Sequence, residues 1–167
     1  SDAGDNFSQP QPIGGVDSTG KDDAVSAPVV FYKRDDNAQL QNKVVVIASA
    51  GSGISRTGTA YTSRNPQSKL RYVIGTVQGN SVSWGAWKKL NADSINSKIS
   101  SKQFGTHSGR GVVTDDGNLV LPVITAEQGT ETAAKEMMGV AFFKVSLSSD
   151  QLTVGDQIGT TISFAQG

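Results

Sequence analysis

Short apolar runs, each cut off by a turn-forming doublet, constrain this chain more than any other feature. "LRYVIGTV" (70–77) stops at Gly79-Asn80 and resumes as "SVSWGAWKKL" (81–90). "GRGVVT" (109–114) stops at Asp116-Gly117 and resumes as "LVLPVIT" (119–125). Gly-Asn and Asp-Gly supply the positive φ that two-residue hairpin turns require, so each pair of runs predicts an antiparallel hairpin. "PVVFYK" (28–33), "KVVVIASA" (43–50), "MMGVAFFKVSLS" (137–148) and a last short "TTISFA" (160–165) follow the same grammar, with "SSDQLTVGDQIG" (148–159) read as the connection before the last of them. No long run repeats apolar residues every three to four positions, and "NADSINSKISSKQF" (91–104) has room for one helical turn. The chain is therefore expected to be all-β, with eight or so strands in antiparallel sheets. A sandwich and a set of propeller blades are the two architectures that satisfy this.

The 167 residues suit one domain with a real core. Lys plus Arg and Asp plus Glu are equal at 15 each, leaving no basic stripe for nucleic acid or for an anionic membrane surface. The absence of cysteine removes disulfides, thiolate nucleophiles and Cys-ligated zinc. No apolar stretch approaches a membrane span, and "SDAGDNFSQP" has no signal-peptide core, although a leader removed before residue 1 is compatible with it.

Residues 1–27 are Gly, Ser, Asp, Gln and Pro with few bulky apolar side chains, the composition of a flexible tail or an extended cover strand; residues 28–167 are expected to form the folded unit. Asn6-Phe7-Ser8 is a glycosylation acceptor pattern that matters only on a secretory route. "GSGISRTGTAYTSRNPQSK" (51–69) is too rich in Gly, Ser, Thr and Arg for core and is read as a long exposed loop, which places Arg56 as a candidate on a ligand rim.

"KLRYVIGTV", "VSWGAWKKL" and "KQFGTHSGRGVVTDDGNLVLPV", in this order, resemble the middle blades of the trypanosome sialidase and trans-sialidase superfamily. In that family a strand ends in Trp-Gly, as at Trp84-Gly85, and Gln-Phe with a glycine-rich segment leads into a "NGNLVYPV"-like strand, as at Gln103-Phe104 and "DGNLVLPV". "KVVVIASAGSGISR" is similar to the second-blade strand and its loop, so the resemblance spans roughly 26–150. It implies a partial six-bladed sialidase-type β-propeller. At about 40 to 50 residues per blade the ordered chain supplies about three blades, too few to close a wheel. Another chain, or the remaining blades of the same precursor, is then expected as a partner. "SSDQLTVGD" (148–156) looks like a degenerate Asp-box, a structural hairpin motif, keeping Ser and Asp and losing Trp.

The resemblance also implies a chemistry. Sialidases of this family clamp the sugar carboxylate with three arginines, activate a tyrosine nucleophile with a glutamate and protonate with an aspartic acid. Where the glutamate would fall, this chain reads "INSKIS" (95–100), and the nearest carboxylate, Asp93, is out of register. Without a base, a tyrosine hydroxyl near its ordinary pKa of about 10 is a poor nucleophile. No catalytic residue is assigned on this reading. The expectation is a catalytically inactive surface glycoprotein segment, on the cell surface or secreted, that recognises sialylated or other glycans. The alternative is part of an active exo-α-sialidase or trans-sialidase whose other groups lie on a missing chain.

Arg110, between Gly109 and Gly111, is the carboxylate-clamp candidate, because flanking glycines let a ligand approach and guanidinium pairs with carboxylate through two bonds. His107 and Trp87 join Arg56 as candidate rim residues, and a loop histidine titrating near neutrality can carry a proton. Trp84 is assigned to the core, because in a strand residues three apart face opposite sides and cannot form one platform with Trp87. Asp115 and Asp116 are turn residues on this reading, and neither a metal nor any other cofactor is expected.

Overall fold

A computed structural model describes residues 13, 25–32, 40–50, 69–99, 102–127 and 138–164. The strands are β1 (Val25–Phe31), β2 (Lys43–Ala50), β3 (Lys69–Gln78), β4 (Ser81–Trp84) and β5 (Lys88–Leu90). After helix α1 (Asp93–Lys98) come β6 (Lys102–Gly105), β7 (Gly109–Arg110), β8 (Val112–Val113), β9 (Leu119–Glu127), β10 (Met138–Ser148) and β11 (Gln151–Phe164). β1 starts inside the stretch expected to be a tail, ahead of the boundary expected at residue 28.

Each sheet is an up-and-down meander. In the first, β1, β2 and β3 are neighbours, and β4 and β5 both pair with β3 on its far side. In the second, β6 and β8 both pair with β9, followed by β10 and β11. The chain leaves the outer strand β5, turns through α1 and enters the inner strand β6 of the next sheet. Two meanders joined outer strand to inner strand are consecutive propeller blades, where a sandwich would have long Greek-key returns. At the hub the inner strands touch: β7 leaves the line of β6 and β8 and runs parallel to β1, Val30 opposite Arg110.

The described residues form two sheets where about three blades were expected, for two reasons. "GRGVVT" does not stay in one strand, because Gly109–Arg110 joins the first sheet while Val112–Val113 pairs with β9. The stretch 151–164, expected as a connection and a separate short strand, is one strand pairing with β10 through two bulges. Its turn, Ser149-Asp150, has positive φ at both positions (49° and 60°), so it closes a two-residue hairpin without glycine. "SVSWGAWKKL" is likewise broken at 85–87 into β4 and β5.

One core lies between the sheets. Alternate residues of β1 and β2 (Val29, Phe31, Val45, Ile47) meet Leu119, Leu121 and Val123 of β9 and Ala141, Phe143 and Val145 of β10. α1 plugs the seam with Ile95, and Ile99 follows it into the core. A buried polar knot ties the sheets beside the hub. Thr106 Oγ1 donates to the Ala27 carbonyl (2.6 Å) and accepts from the Ser49 amide (2.8 Å), while the Thr106 amide donates to Ser49 Oγ (2.8 Å). Ala27 has φ of 51° at an irregularity of β1, so its carbonyl is turned off the ladder and taken by Thr106.

The two ends of the blades differ. The connections 51–68, 91–101 and 128–137 leave the ladders at one end, whereas the tight turns at 79–80, 115–117 and 149–150 lie at the other together with the connection 32–42. Ligands are generally bound by long connections on a rigid scaffold. Among the described residues no helix is long and apolar enough to cross a membrane.

Candidate anion-binding cavity

At the long-connection end, the start of β3, the end of β5 and the start of α1 enclose a cavity of about 400 Å³. Lys69 and Arg71 are two apart on β3 and share a face, and the register places Lys89 directly opposite Arg71. Guanidinium and ammonium groups of this kind hold carboxylates and phosphates by charge-assisted hydrogen bonds. Asn91 and Asn96 add amides to the wall and Asp93 a single carboxylate. The Asn91 side chain is already engaged, its Oδ1 accepting from the Asp93 amide at 2.8 Å, which fixes the first turn of α1. The cavity can therefore take a polar, anionic group of sugar size.

A second cavity of about 270 Å³ opens at the outer edge of the seam between the sheets, lined by Tyr72, Ile74, Thr76, Trp84, Lys88 and Asp150 among others. Trp84 is half-buried rather than in the core: its ring lies over Gly75, where an added Cβ would sit 2.8 Å from ring carbons. The strand ends at this tryptophan, so its side chain covers the edge of the sheet instead of entering the middle. Lys43 ion-pairs with Asp150, and Lys88 Nζ donates to the Asp150 carbonyl at 3.1 Å. The hydrogen bond from Lys43, followed by its charge, holds the Asp150 carboxyl below its ordinary value of 3.8. A depressed carboxyl pKa gives stability that is present above the ordinary value and lost as pH falls through the lowered one. Asp150→Asn is expected to cost less than about 1 kcal/mol at pH 7, because the pair is exposed. It should also flatten the loss of stability below about pH 4, as acid titration of unfolding midpoints would record.

Of the residues singled out in the sequence, Arg110 and His107 are exposed at the hub, on β7 and just before it, and neither lines the cationic cavity. The His107 ring nitrogen Nδ1 lies 3.1 Å from the Ser108 carbonyl. Gly111 beside Arg110 serves packing rather than ligand approach, because an added Cβ there would fall 2.1 Å from the Phe31 ring. Trp87 is half-buried and its indole Nε1 donates to the Ile13 carbonyl at 3.0 Å, so its polar atom holds an N-terminal residue to the first sheet. Arg56 and Asn6 lie outside the described residues.

Asp115 and Asp116 occupy the expected turn. Asp116 accepts from Thr114 Oγ1 and from Asn118 Nδ2 (2.6 Å), with Lys144 Nζ at 3.6 Å, and its carboxyl is held low, chiefly by the Thr114 bond. Among the described residues no three His, Asp or Glu side chains come together to hold a metal. The segment resembling the position of the family glutamate falls on α1, where Ile95 is fully buried in the core. The sequence reading missed Lys69, Arg71 and Lys89; the signal was the alternation of Lys69 and Arg71 around a core leucine, answered by "KKL" at 88–90.

Two propeller-type blades carrying a cation-lined cavity at their long-connection end define a blade-repeat protein with a ligand-sized recess. The chain belongs to the BNR repeat-like domain family, whose model matches residues 2–155, and its repeat is of sialidase type. Among solved structures it is similar to a levansucrase variant complexed with sucrose (TM-score 0.42) and to a B. subtilis levansucrase mutant (TM-score 0.38). Each is 17% identical over 80% of this chain and 29% of the other. The chain thus spans under a third of the length of those levansucrases. No curated protein matches it.

Proposed function

We propose that this chain is a non-hydrolytic recognition module of the sialidase superfamily, displayed at a cell surface or secreted, that binds an acidic glycan through its carboxylate. The observation that carries this is the facing of Arg71 and Lys89 across β3 and β5, with Lys69 on the same face, around a 400 Å³ recess. Guanidinium and ammonium groups so placed hold a sugar carboxylate by charge-assisted hydrogen bonds, and Asn96 and Asn91 offer partners for hydroxyls. The segment 95–100, set by the resemblance where those enzymes carry the base that activates their nucleophile, holds no carboxylate, which supports binding without turnover.

The test is calorimetric titration of the chain with 3′-sialyllactose and with lactose. The sialoside should bind at least tenfold more tightly, and the preference should weaken with added salt. Lys89→Ala should remove most of that preference while leaving stability within about 0.5 kcal/mol, because Lys89 is an exposed surface residue. Equal affinity for both sugars would refute the reading. A second reading keeps the enzyme, and the exposure of Arg110 on the innermost strand favours it: release of a fluorogenic aglycone from a sialoside, abolished by Arg110→Ala, would establish it in place of the first.

A further inference from the structure

The cationic recess has two walls of opposite character. Lys69, Arg71 and Lys89 belong to the β3–β5 wall. On the other wall Asp93 and Asn96 are three residues apart on α1 and therefore share a face. Ile95 between them is fully buried in the core, which turns the polar side of the helix toward the recess. The bond from the Asp93 amide to Asn91 Oδ1 steadies the backbone that carries the carboxylate. Asp93 and Lys89 are both exposed, and among the described residues neither the carboxylate of the one nor the ammonium of the other makes an ion pair or a hydrogen bond. Opposite charges thus line one recess without pairing to each other. A ligand with an acid group at one end and a hydrogen-bond donor at the other completes both.

We infer that Asp93 is the specificity-determining residue of this recess, and that it shifts selection toward singly charged sugar acids presenting a hydroxyl or amide N–H and away from doubly charged phosphosugars. The inference rests on the glycan reading and narrows its ligand class. Its ground is electrostatic. A sugar carboxylate carries one negative charge, whereas a phosphate monoester, with a second pKa of about 6, carries close to two above neutral pH. Arg71 and Lys89 attract either group, but the repulsion from Asp93 acts once on the first and about twice on the second. A hydroxyl or N–H elsewhere on the sugar donates to the Asp93 carboxylate in a charge-assisted bond and offsets the single repulsion, and it offsets the doubled one less. Asn96, a neutral amide on the same face of α1, accepts or donates without regard to ligand charge. Selection by charge therefore falls to Asp93 alone on that wall.

Calorimetric titration of the full chain with 3′-sialyllactose and with glucose 6-phosphate tests it, at low ionic strength and about pH 8, where the phosphate is doubly ionised. Wild type, Asp93→Asn and Asp93→Glu are compared. The readout is the ratio of the two dissociation constants, because a general disturbance of α1 weakens both ligands and leaves the ratio in place. Asp93→Asn should move the ratio toward the phosphosugar by about fivefold or more, chiefly through tighter binding of that ligand. Asp93→Glu keeps the charge and should keep the ratio within about twofold of wild type. A wild type that binds the sialoside, with a ratio unmoved in Asp93→Asn, would overturn the assignment and leave the glycan reading standing. A parallel loss of both ligands would overturn it too, and would reduce Asp93 to a support of α1. No binding of the sialoside by wild type would remove the glycan reading and this assignment together.

Discussion

Gly111→Ala is expected to lower the unfolding free energy by about 3 kcal/mol, the upper range for overpacking a core. The added methyl would sit 2.1, 2.3 and 2.6 Å from three carbons of the Phe31 ring, and Phe31 is fully buried. The backbone has little freedom to retreat, because the Gly111 amide donates to the Val30 carbonyl at 2.8 Å and closes the hub between β1 and β7. Either the ring leaves its place or the strand pair opens. For a chain of this size the melting temperature should fall by roughly 6 to 12 °C. Phe31→Leu on the Gly111→Ala background should recover part of the loss, as urea titration of both variants would show. A midpoint within experimental error of wild type, together with weakened glycan binding, would return Gly111 to the role of admitting a ligand beside Arg110.

Thr106→Val should cost about 2 to 4 kcal/mol, and Thr106→Ser less than about 1. Valine matches threonine in shape, so the difference isolates the hydroxyl. Without it the Ala27 carbonyl and the Ser49 amide, both tied to Thr106 in a buried setting, lose a partner at once. Each such group carries a desolvation penalty of about 1 to 3 kcal/mol when left unmade. The knot joins β1, β2 and the residue after β6, so local amide exchange should accelerate on both inner strands in Thr106→Val. Equal stability of the valine and serine variants would show that the knot holds nothing.

The hairpins were legible wherever glycine marked the turn: β3–β4 around Gly79 and β8–β9 around Gly117, with φ of 59° and 83°. The β10–β11 hairpin was not, because Ser149 and Asp150 adopt positive φ without glycine and read as ordinary loop residues. β7 was hidden for another reason. Nothing local tells Gly109–Arg110 to leave its own sheet, and only the fit of Gly111 against Phe31, far away in sequence, draws the strand across.

The cavity depended on a slip of one residue. Extending the hairpin register from Gly75 opposite Trp84 would set Lys88 against Arg71. The three residues 85–87 instead oppose the two residues 73–74, and the extra one brings Lys89 there. A bulge reverses which side of the sheet every later residue faces, and no propensity forecasts it. The family resemblance reached the sialidase-type repeat and could not place this charge cluster, since the cluster follows from that single extra residue.

The gathering of three connections at one rim has an evolutionary corollary. Lengthening the segments at 51–68 or 128–137 leaves the ladders that anchor them untouched, and closing a loop of twice the length costs only about 0.6 kcal/mol more. Descendants of such a chain can acquire new specificities by insertion at that rim while the ladders and the two-residue hairpin tips at 79–80 and 149–150 keep their register.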